Sequence, residues 1–163
     1  MGGTEEKRKE IVVSICNQLE QVNDGVEIVV LDNILQSFRC LEQFASVKEY
    51  IIEENEMASY IRNLEHRLEK RYMAYAEERS NLSKEPLLVT IVGGSEEIDY
   101  ISGERNLSKL YQTITGKYGM LKVCFIFADV PNRPKPYSAA EVYKSLKEKS
   151  GFIALENINN INI

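Results

Sequence analysis

The chain has 163 residues, 44% of them hydrophobic, and a formal net charge of −5 at pH 7. That is apolar material for one sizeable core and a single domain spanning 1–163, and the acidic balance argues against a nucleic-acid backbone as the main partner. The apolar runs fall far short of the ~20 residues of a membrane span, and no signal-peptide pattern opens the chain, so direct membrane insertion of this segment is not expected.

From Glu10, the apolar residues Ile11, Val12, Ile15, Cys16, Leu19 and Val22 recur at helical spacing and stop before the turn signal Asn23-Asp24-Gly25. Val26 to Leu31 reads as a buried strand ending at Asp32-Asn33, followed by a short amphipathic piece with Leu35, Phe38, Leu41 and Phe44 on one side. Val47 to Ile52 is a further strand. The longest helix runs from Glu54 to about Arg79, with Met57, Ile61, Leu64, Leu68, Tyr72 and Tyr75 as its inner stripe. Glu65, Arg67, Glu69, Lys70 and Arg71 form its charged outer face, and His66, the only histidine, is read as a surface residue.

Ser80 to Glu85 is a polar linker into Leu87–Val92, six apolar or β-branched residues bounded by Pro86 and Gly93-Gly94. Such a run reads as a strand covered on both faces. Ile98 to Ile101 and then Leu107, Leu110, Tyr111 and Ile114 suggest a turn and a helix ended by Gly119. Lys122 to Ala128 is a third buried strand, running into a loop broken by Pro131, Pro134 and Pro136. Ser138 to Glu141 fits a capping box opening a helix to about Lys149, and Phe152 to Leu155 a last strand. Strands alternating with helices predict an α/β fold with a parallel sheet between helices and right-handed crossovers. Cys16, Cys40 and Cys124 are widely spaced within apolar runs and read as buried free thiols of a reducing compartment.

Chemistry in such a sheet sits beyond the carboxyl ends of the strands. Gly93 and Gly94 stand there without a side chain. Asp32, Glu96 and Asp129 are the carboxylates nearest to strand ends; together they could hold magnesium, although strand-end acids that cap turns are commoner. A phosphate loop needs glycines, a lysine and a Ser or Thr for the metal. Gly3-Thr4-Glu5-Glu6-Lys7-Arg8-Lys9-Glu10 matches that pattern at Gly3 and Lys9 only, with Arg8 in place of the second glycine and Glu10 in place of the hydroxyl. A charged helix start is the alternative. Thr115-Gly116-Lys117 has no upstream glycine at the right distance and reads as a helix end. A lone His66 and the lack of a G-x-S-x-G elbow leave no triad.

The order of these elements, with Leu68-Glu69-Lys70-Arg71-Tyr72 on the long helix and Phe125 to Ala128 running into a proline loop, resembles the motor domain of the FtsK/SpoIIIE family. The resemblance implies a RecA-like P-loop NTPase fold with a degenerate nucleotide site, lacking the family's first strand. The family's Asp-Glu pair corresponds to Gly93-Gly94, its phosphate-loop glycine and hydroxyl to Arg8 and Glu10, and its glutamine falls near Val130. Arg133-Pro134 echoes its Arg-Pro.

Gly3, Arg8, Lys9, Glu10, Gly93 and Gly94 would then be a vestigial site, with no catalytic or metal-binding residue. No cofactor is expected, where active members use ATP and magnesium. Within the family the chain looks most like the carboxyl-terminal ATPase-like domain of the type VII secretion coupling proteins EssC/EccC. That implies a module on the cytoplasmic face of a bacterial membrane, whose partners are secreted protein substrates and neighbouring ATPase domains. A slow nucleotide-binding ATPase and a DNA-motor fragment are the rival expectations.

Overall fold

The computed structural model describes residues 3–21, 25–77, 84–94 and 121–128. In order these form helix α1 (Gly3–Leu19), strand β1 (Val26–Leu31), a short 3-10 helix (Arg39–Gln43), β2 (Val47–Ile51), α2 (Glu54–Ala76), β3 (Leu87–Val92) and β4 (Val123–Phe127). The expected helix after Gly94, the proline loop, the capping-box helix and the last strand lie outside the described residues, as do Val22, Arg79, Glu96, Asp129 and Val130.

The strands form one all-parallel sheet in the order β2-β1-β3-β4, an α/β arrangement compatible with a RecA-like fold. Strands β1 and β3 pair in register from Val26↔Leu87 to Leu31↔Val92. Their side chains alternate between two cores, as the two-residue period of a strand requires. Val29, Leu31, Leu88 and Val92 face α2, which contributes Met57, Ile61, Leu64 and Leu68. Ile28, Val30, Val89 and Ile91 face the other way, onto Val12 and Cys16 of α1 and onto Phe38, Leu41 and Phe44. Both faces of the central strands are covered, which is why their sequences run apolar without alternation.

Helix α1 runs antiparallel to the strands. Ser37 Oγ donates to Glu5 Oε1 (3.2 Å) beyond the carboxyl end of β1, while Ser46, just before β2, donates from its N–H (3.0 Å) and Oγ (3.1 Å) to Glu20 Oε1. Chain reversal before β1 uses Gly25 at φ +83, a conformation open to glycine but rare for other residues.

Several expectations from sequence are corrected. Leu35 leaves the apolar side of the piece after β1: it is 81% exposed beside Ile34 at 84%, while Phe38, Leu41 and Phe44 are buried. Cys16 is buried, but Cys40 and Cys124 are exposed; Cys40 precedes the inward Leu41 on a tight helix and so faces out. On α2 the inner stripe is Met57, Ile61, Leu64, Leu68 and Arg71, so Arg71 leaves the outer face and Tyr75 the inner one, at 6% and 44% exposed. Spacings alternating between four and three residues move the inward position one place toward the amino end by the last turn. Strand β4 is half-buried rather than fully buried. His66 is exposed, as expected.

Candidate functional site

Connections from the neighbouring strands β1 and β2 leave toward opposite faces, the first into the 3-10 helix on the α1 side and the second into α2. Divergence of this kind opens a crevice at the strands' carboxyl ends. Asp32 stands there, fully buried. Its Oδ2 accepts the Phe38 N–H (2.7 Å) and the Tyr50 hydroxyl (2.5 Å), and its Oδ1 accepts the Asn33 N–H (2.8 Å). Burial first, and then this carboxylate, push the Tyr50 phenol far above its ordinary range, so it remains a donor. An acid holding three donors is organised to brace the loop of residues 33–38. The same loop is tightened by the Leu35 N–H on Asn33 Oδ1 (2.9 Å) and by Gln36 at φ 53.

Gly93 lies directly against this carboxylate. A Cβ on Gly93 would stand 2.8 Å from Asp32 Oδ1 and 3.2 Å from the Leu31 carbonyl oxygen. The glycine at the end of the central strand is therefore matched to the acid at the end of its neighbour. Sequence reasoning weighed Gly93 and Asp32 separately and missed their contact. A signal was present: pairing the two six-residue apolar runs in register places the residue after Leu31 beside the residue after Val92.

Gly3, Arg8, Lys9 and Glu10 all lie in the first turns of α1. From Lys7 onward the amides of a helix that starts at Gly3 bond back along it, so they cannot converge on a phosphate as a loop would. Of the two readings of this stretch, the charged helix start fits the described backbone. The Ser37–Glu5 contact brings the amino end of α1 to the same edge of the sheet as Asp32 and Gly93. Gly94 follows, half-buried. No group of three or more His, Cys, Asp or Glu able to hold a metal occurs among the described residues. None of the described helices is long and apolar enough to cross a membrane.

A second feature lies on the α2 face, where a cleft of about 620 Å³ opens between α2 and strands β1 and β2. Its floor includes Val29, Ile51, Leu64 and Leu88, and Lys48, Glu49, Glu56 and the pair Arg67–Glu27 (2.6 Å) line it higher up. The hydrogen bond from Arg67 holds the Glu27 carboxyl below the usual carboxylate range against the opposing effect of burial. Deeper in, Tyr60 and Thr90 share a hydroxyl hydrogen bond (2.6 Å), and burial pushes the Tyr60 phenol up to about 12.

Further along α2, Arg71 ties the helix to the amino ends of β3 and β4. Its Nη1 donates to the Leu121 carbonyl (3.1 Å), and its Nη2 lies 3.2 Å from Glu85 Oε2 without hydrogen-bond geometry. Nε has no hydrogen-bond partner among the described residues. Burial lowers this guanidinium's pKa.

No family model, curated protein or solved structure matches the chain. Function is therefore read from the strand ends and the α2 cleft.

Proposed function

We propose that this chain is a catalytically silent, RecA-like domain that works by protein recognition, in the manner of the degenerate carboxyl-terminal ATPase-like domain of a type VII secretion coupling protein. Its partners are then exported protein substrates and neighbouring ATPase domains, at the cytoplasmic face of a bacterial membrane. The observation that carries the silent half of this reading is the contact between Gly93 and Asp32. A nucleotide hydrolase needs an unencumbered acid at the strand ends to hold magnesium and orient water. Here the central strand ends in a glycine whose side-chain space is taken by Asp32 Oδ1, and Asp32 itself is engaged by three donors. The helical backbone of residues 3–10 supports the same conclusion.

The test is a calorimetric titration of the chain with ATP and Mg²⁺. The silent domain gives no saturable heat. Micromolar binding abolished by Lys9→Ala would instead establish the rival nucleotide-binding ATPase. A salt-dependent shift with duplex DNA would revive the motor-fragment reading, which the net charge of −5 opposes. The recognition half is tested with the secretion protein itself: removal of this domain is expected to stop export of its substrates while leaving ATP hydrolysis by the other domains intact.

A further inference from the structure

The cleft beneath α2 crosses the sheet rather than following one strand. Its floor takes Ile51 from β2, Val29 from β1 and Leu88 from β3, with Leu64 of α2 against them, and all four are buried. Adjacent strands lie about 4.8 Å apart, so an apolar floor reaching from β2 to β3 is roughly 10 Å wide. Above the floor the walls carry both signs of charge. Glu27 and Glu49 stand on the strands and Glu56 in the first turn of α2, while the cations are Lys48 on β2 and Arg67 on α2. We infer that this cleft is a binding site for a small zwitterion with an apolar body, of the class of a dipeptide that has two large apolar side chains and both termini free. The inference goes beyond the silent-domain reading and does not rest on it.

Charge selects this class of ligand. A purely basic ligand brings its charge against Lys48 and Arg67, and a purely acidic one meets Glu27, Glu49 and Glu56. A neutral apolar ligand takes water from charged groups and gives them nothing in return. A zwitterion answers both signs. Arg67 is already engaged by Glu27 at 2.6 Å, so the ligand's carboxylate is assigned to Lys48. An ammonium has three N–H donors, and Lys48 Nζ spends one of them on the Ala45 carbonyl (2.9 Å). Glu49 and Glu56 offer carboxylate oxygens to the ligand's ammonium.

Size points the same way. About 620 Å³ is within the range of small-molecule sites. One amino-acid side chain covers little more than a single strand of the floor, whereas two large ones reach across it. Lys48, Glu49 and Glu56 are exposed, so they choose among ligands at the rim while the floor supplies the apolar contact.

The full chain, labelled with ¹⁵N, is titrated with leucyl-phenylalanine and with the same dipeptide acetylated at its amino end, amidated at its carboxyl end, or both. Saturable shifts with the free dipeptide are expected at the Lys48 and Glu49 amides on one wall and at the Asn63 amide on the other. Each single block is expected to weaken binding about threefold to fivefold, the scale of a solvent-exposed ion pair. Lys48→Gln should weaken the free dipeptide by a similar factor and leave the amidated one unaffected. Glu49→Gln with Glu56→Gln should weaken the free dipeptide and leave the acetylated one unaffected. These are exposed positions, and the same spectra report that each variant is folded.

Silence at these amides with millimolar dipeptide overturns the inference. Equal binding of all four forms does so too, since the cleft would then be indifferent to charge. Tighter binding by either singly blocked form would assign the site to an ion of one sign and overturn it as well.

Discussion

Asp32 and Gly93 are two halves of one packing decision, and their coupling can be measured. Gly93→Ala forces a methyl onto Asp32 Oδ1 and is expected to cost about 1–3 kcal/mol, as overpacking does. Asp32→Ser removes the crowding carboxylate oxygen but leaves the Phe38 and Asn33 amides and the Tyr50 hydroxyl short of an acceptor, a loss of about 3 kcal/mol. The two costs should not add. In the Asp32→Ser background Gly93→Ala is expected to cost less than it does alone, with the Leu31 carbonyl oxygen at 3.2 Å still crowding the methyl, a coupling that denaturant midpoints of the four chains would reveal. Simple additivity would mean that the contact does not restrict residue 93. A second residue-scale prediction concerns the thiols. Burial, and to a smaller degree Glu20 and Cys40, push the Cys16 thiol up to about 11, and it is inaccessible, whereas Cys40 is exposed. Brief maleimide treatment followed by peptide mass mapping should find Cys40 labelled well before Cys16.

At the scale of elements, α2 is held to the sheet mainly by its apolar stripe and secondarily by two cationic ties. Arg67 reaches Glu27 on β1, and both side chains remain partly in water, so the pair contributes at most about 1 kcal/mol. The sign of its pH dependence follows from the lowered Glu27 pKa. The contribution is fully present above the carboxyl's unfolded value of about 4.3 and is lost as pH falls through the still lower folded value. Arg67→Met should therefore destabilise the chain slightly at pH 7 and not at all near pH 2, as read from urea unfolding at both. The second tie, Arg71, shows how a charged residue can occupy an inward position. Its guanidinium replaces an apolar contact by holding Leu121 and Glu85, at the amino ends of two different strands.

Across the whole molecule, stability should be graded from the middle of the sheet outward. Strands β1 and β3 are paired on both sides and covered on both faces, whereas β2 is an edge among the described residues and β4 is half-buried. Native-state hydrogen exchange should accordingly find the slowest amides at Val30 and Ile91, with β2 opening through smaller fluctuations. Equal protection of β2 and β1 would mean that the outer edge of β2 is already covered in the free chain.

The composition and the runs Val26–Leu31 and Leu87–Val92 determined by themselves that the fold is α/β with a parallel sheet, because only strands buried on both faces are apolar without alternation. The long helix and most of its inner stripe were equally legible, since helical spacing depends on local geometry alone. Tertiary structure decided what spacing cannot carry. It turned Leu35 outward and Arg71 inward, and set Asp32 against Gly93 across 61 positions of chain. Burial and contact belong to pairs of residues brought together by the sheet, and a linear pattern records only one member of each pair at a time.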